Sequence, residues 1–73
     1  MNDEERIKAM QYEIERQIKE IKEKHTTFVI YLPYALIVAD NYEFGEVFKE
    51  QIILYRNGNY IASVNIWAIV EIG

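Results

Sequence analysis

The chain has 73 residues, which makes one domain, residues 1–73, whose core is small because so short a chain buries only about 60% of its unfolded surface. It contains no cysteine, so disulfides and thiolate metal sites are excluded. Its net charge is −4, with 8 Lys and Arg against 12 Asp and Glu, which argues against a general binder of nucleic acid, since such binders draw affinity from cations on phosphates.

A hydrophobic share of 51% is too high for a disordered chain. The N-terminus, Met1-Asn2-Asp3-Glu4-Glu5, lacks the basic-then-apolar order of a secretory signal. The longest uncharged stretches, 26–39 and 57–70, fall short of the roughly 20 residues that span a bilayer. The expectation is a soluble cytoplasmic protein with no membrane contact.

Residues 3–24 predict one amphipathic helix. Ile7, Met10, Ile14, Ile18 and Ile21 keep helical spacing along one stripe. Asn2 is placed to cap it, with Glu5 three residues on. Asp3, Glu4 and Glu5 open the helix and Lys22, Lys24 and His25 close it, both favourable to the helix dipole. Glu4–Lys8, Glu15–Lys19 and Glu20–Lys24 have the spacing of surface ion pairs. A narrow stripe of this kind packs on a sheet and leaves the other faces to water.

Residues 27–39 predict one edge strand, open to a bend at Pro33, because proline cannot donate to a ladder. Asp40 to Gly45 reads as a connection, with Asp, Asn and Gly as turn formers. Residues 46–56 and 59–72 predict a hairpin folded at Asn57-Gly58, the strongest short-range hairpin signal. The expected fold is α+β: one N-terminal amphipathic helix packed on a three-stranded antiparallel β-meander, with 46–56 in the centre.

Pairing Arg56 with Asn59 sorts the hairpin onto two faces. One face carries Tyr55 with Tyr60, Ile53 with Ala62, Gln51 with Val64, Lys49 with Ile66 and Val47 with Ala68. The other carries Leu54 with Ile61, Ile52 with Ser63, Glu50 with Asn65 and Phe48 with Trp67. Both faces hold large apolar groups, and one helix covers only one. The alanine-bearing face has room for the helix. Phe48, Ile52, Leu54, Ile61, Trp67 and Ile69 are then expected to form a homodimer interface, since an exposed patch of that size is rare on a monomer. Pairing through the edge of strand 59–72 is the rival geometry.

Nothing along the chain spells out a catalytic motif. His25, the single histidine, has no nucleophile or acid partner in sequence and reads as a residue at the helix end. Glu43, Glu46 and Glu50 do not follow cation-loop spacing. Ser63 has no nucleophile elbow, and Gly45, Gly58 and Gly73 form no phosphate loop. No cofactor, metal or catalytic residue is expected. The reading is a non-enzymatic interaction protein, a homodimer with an unknown protein partner in reach and no nucleic acid. Two alternatives stand beside it: a small-ligand binder or enzyme with a tyrosine-lined site at the dimer interface, and an acidic inhibitor of a DNA-binding protein.

The layout of a helix from Asn2 to Lys24 and strands at Thr27 to Ala39, Val47 to Arg56 and Asn59 to Ile72 resembles the YopT family of small uncharacterised Bacillus prophage-encoded proteins. The resemblance implies a homodimer of helix-plus-three-strand protomers. It implies no catalytic residue.

Overall fold

The computed structural model describes residues 2–73. Helix α1 spans Asp3–Lys22. Asn2 caps it as expected: its Oδ1 accepts the Glu5 amide at 2.8 Å, satisfying one of the free N–H groups of the first turn. The helix stops slightly short of the predicted end, so His25 lies beyond it, its amide donating to the Ile21 carbonyl at 3.0 Å. Lys22 Nζ donates to the Asp40 carbonyl at 2.6 Å and ties the helix end to the sheets. The surface ion pairs differ from the predicted ones: Arg16 bridges Glu13 and Glu20, and Lys49 reaches Glu4. All are solvent-exposed and add little to stability.

The α+β class holds, but the single meander does not. There are two three-stranded antiparallel sheets, one in the spatial order Ala35–Ala39, Phe28–Leu32, Glu71–Ile72 and the other in the order Asn41–Phe44, Gln51–Arg56, Asn59–Asn65. Residues 27–39 are not one strand. β1 (Phe28–Leu32) and β2 (Ala35–Ala39) form a hairpin that folds at Pro33-Tyr34, with Leu32 opposite Ala35. Proline is pre-set for the first central position of a turn, and neither turn residue needs positive φ.

The predicted connection at 40–45 contains a further strand, β3 (Asn41–Phe44). Tyr42 and Phe44 turn inward while Asn41 and Glu43 face solvent, a clean period of two. Asp40 is the corner between the sheets. Its amide donates to the Tyr55 carbonyl at 2.9 Å, and its Oδ2 accepts the Asn57 amide at 2.8 Å.

β4 (Gln51–Arg56) and β5 (Asn59–Asn65) fold at Asn57-Gly58, as predicted. Asn57 has φ 54 and Gly58 φ 79, positive at both positions as a type I′ turn requires. Arg56 faces Asn59 and Tyr55 faces Tyr60. Beyond that pair a bulge shifts the register, and Leu54 meets Ala62, Ile52 meets Val64 and Gln51 meets Asn65. One inserted residue, Ile61, moves every later side chain of β5 to the other face. The two-face assignment therefore fails, because Ile52 and Leu54 share the inner face with Ala62 and Val64.

The predicted strand 59–72 also breaks. After β5 the chain makes a 3₁₀ turn, Ile66–Ala68, and a short β6 (Glu71–Ile72) pairs with β1. Residues 45–50 form a loop, so the expected pairs of Phe48 with Trp67, Lys49 with Ile66 and Val47 with Ala68 do not form.

One core joins all these parts. Ile14 and Ile18 of the helix are 1% exposed and meet Phe28, Ile30, Ala39, Ile52, Leu54, Val64 and Ile66. Ile7, Met10 and Ile21 pack at its margin, so the helical stripe is used as its spacing implies. Space around Gly58 is open, with nothing within 4 Å of an added Cβ. Gly58→Val should therefore cost backbone strain alone, at least the roughly 1–2 kcal/mol of a left-handed residue, since a β-branched side chain resists positive φ. A urea midpoint equal to the parent's would contradict the turn.

Candidate functional site

Trp67 is the only tryptophan, and the 3₁₀ turn holds it at the surface. Asn65 starts that turn, its Oδ1 accepting the Trp67 amide at 2.8 Å. The fully buried Ile66 anchors it from below, and its amide donates to the Glu50 carbonyl at 2.7 Å. Trp67 stays 48% exposed, with the Arg6 guanidinium 5.5 Å from its ring centroid. That geometry suits a cation on an aromatic face. Clefts of about 250 and 320 Å³ flank the pair, one lined by Asp3, Ile7 and Glu50 and the other by Ala9, Met10 and Glu13. Hydrogen bonds from Arg16 and then Gln17 hold the Glu13 carboxyl below the usual range.

A second polar cluster lies around the Asp40 corner. Glu43 accepts a hydrogen bond from the Tyr55 hydroxyl, and Tyr60 shares one with Ser63 at 3.1 Å. A cleft of about 290 Å³ opens among Asp40, Asn41, Tyr42, Glu43, Tyr55 and Gly58. The bond to Glu43 pushes the Tyr55 hydroxyl above its ordinary pKa, with the Glu43 charge acting the same way. Burial, then the charge of Glu15, raises Tyr42. A raised pKa favours the folded protein below the ordinary tyrosine range, and the benefit is lost as pH rises through the raised value. In an alkaline titration followed by tyrosinate absorbance, Tyr55→Phe should remove a late-titrating tyrosine. Loss of an early one instead would contradict the bond.

The outer face of the β1–β2 hairpin is apolar, with Val29 and Val38 half-buried in it. Val29 pairs with Val38 and Tyr31 with Leu36 on that side. Leu36 is 58% exposed, Tyr31 is 37% exposed, and Tyr34 stands in solvent at the turn. No charged residue occurs between Thr26 and Ala39.

The six residues expected at a dimer interface do not share one face. Ile52 and Leu54 are fully buried in the chain's own core and are removed from any interface; the bulge at Ile61 brings Ala62 and Val64 onto their face, so theirs is the face turned to the core. Ile69 is half-buried against the same core. Phe48, Ile61 and Trp67 are exposed, but on the 45–50 loop, the β5 bulge and the 3₁₀ turn respectively. The Arg6–Trp67 stack joins residues 61 apart with no shared motif, so no sequence signal marked it. The uncharged run 26–39 is plain in the sequence, but the pairing of Val29 with Val38 and Tyr31 with Leu36 on one face depends on the turn at Pro33-Tyr34. Among the described residues, no three His, Asp or Glu side chains converge as a metal-holding group. Among the same residues, no helix is long and apolar enough to cross a membrane. No family model, curated protein or solved structure matches the chain.

Proposed function

We propose that this is a non-enzymatic interaction protein that works in the cytoplasm as a homodimer. One observation carries the reading: the outer face of β1–β2 is apolar and uncharged, where the solvent side of an antiparallel sheet normally alternates to polar residues. Tyr31, Leu36, Val29 and Val38 form that face. Interface cores are depleted of charge and enriched in aromatics in the same way. In a chain of net charge −4, the two uncharged strands are where a second copy can approach with least repulsion, and Glu71, opposite Tyr31 on the same sheet face, lies at the far edge from β2. The size and helix-first order shared with the YopT family belong to this proposal, although the three-strand count does not carry over. Light scattering on Leu36→Glu tests it. The variant should run as one chain where the parent runs as two, while Trp67→Glu stays a dimer. A dimer that survives Leu36→Glu and dissociates with Trp67→Glu would return the contact to the 3₁₀ turn.

The Arg6–Trp67 stack favours a second reading, a small-ligand site in the flanking clefts. A planar ligand displacing Arg6 would change Trp67 fluorescence, and a flat response across a compound library would count against it.

A further inference from the structure

We infer that two copies join through the free edge of β2, antiparallel about a twofold axis at Ile37, so that both β2-β1-β6 sheets merge into one six-stranded sheet. The inference rests on the homodimer reading and specifies its geometry.

The hydrogen-bonding directions come from β1. Val29 and Gly73 exchange backbone bonds at 2.7 and 2.9 Å, so Val29 points its backbone groups at β6. Antiparallel ladders alternate, so Phe28, Ile30 and Leu32 bond to Ala39, Ile37 and Ala35, their partners in register. Leu36 and Val38 must then turn their N–H and C=O groups away from β1. Among the described residues, no backbone or side-chain bond reaches either of them from outside the hairpin, and the edge is open as far as Ala39, beyond which the Asp40 amide bonds to Tyr55 of β4. A strand edge in this state is a template for another strand.

The other sheet edges are blunted and β2 is not. β6 has only two residues. β5 carries the bulge. β3 is four residues long and presents Glu43 to solvent. β2 has five residues in unbroken register with β1 and no charge, proline or bulge within it. A strand edge pairs with its own copy about a twofold axis. With the axis at Ile37, Leu36 faces the partner's Val38 and Val38 the partner's Leu36, giving four hydrogen bonds. The apolar β1–β2 parts of the outer faces then run together across the join, with Glu71 of each copy at the outer margins.

Amide exchange at micromolar to millimolar protein is the test. Leu36 and Val38 should exchange slowly in the dimer and speed up on dilution, although neither has an acceptor within its own chain. Leu36→Pro deletes an outward N–H that the protomer does not use, at a position where an edge strand accepts proline. It should weaken the dimer at least about tenfold, through two lost bonds per dimer, and keep the parent's circular dichroism. Leu36→Ala, which keeps the N–H, should weaken it less. A wild-type dimer whose Leu36 and Val38 amides exchange freely overturns the edge geometry and leaves the homodimer standing. A wild-type chain that stays single at millimolar concentration overturns both.

Discussion

Phe28→Ala lowers the unfolding free energy by about 3–5 kcal/mol, the usual cost of emptying a buried phenylalanine site. Phe28 is fully buried at the point where both sheets and the helix meet. Its ring lies edge-on to Tyr42 at 6.1 Å, and Tyr42 in turn meets Phe44 at 5.6 Å. Truncation empties the site beneath β1 and strips β3 of its aromatic partner. A domain of 73 residues has roughly 4–11 kcal/mol of stability in total, so the variant should be largely unfolded in mild urea. Melts must be run at one protein concentration, because a dimer's midpoint moves with concentration. A loss below about 1 kcal/mol would show that β1 is not the centre of the core.

Ile14→Ala costs about 2–5 kcal/mol by the same logic. Ile14 is 1% exposed and, with Ile18, is the helix's fully buried anchor. The neighbouring Tyr12 is exposed, and Tyr12→Ala should stay within about 0.5 kcal/mol of the parent. The contrast between the two variants tests docking of the helix directly. Equal urea midpoints would mean that the helix lies on the surface without burying its stripe.

The helix was legible because several signals agreed there. Asn2 caps, Ile14 and Ile18 keep the period, and acids and bases sit at their proper ends. The Asn57-Gly58 turn was legible for the same reason, since few residues tolerate positive φ. The strands were harder. A 13-residue strand over 27–39 would be about 43 Å long, whereas the longest dimension of the molecule is 34 Å. A domain of this size has an expected radius of gyration of about 11 Å, so that length was already a warning, and Pro33 marks where the chain turns. The register of β5 depends on one bulge at Ile61, and no local residue preference announces a bulge. That single residue puts Ala62 and Val64 on the same face as Ile52 and Leu54, which makes that face the core face. The Arg6–Trp67 stack is a contact between chain ends, set by how the 3₁₀ turn meets the helix, and periodicity carries no information about it.

Sedimentation equilibrium of the wild-type protein across a dilution series decides whether the chain forms a homodimer. The proposed homodimer gives a mass of two chains at high concentration that falls toward one chain on dilution, with no larger species. A mass of one chain throughout would contradict it.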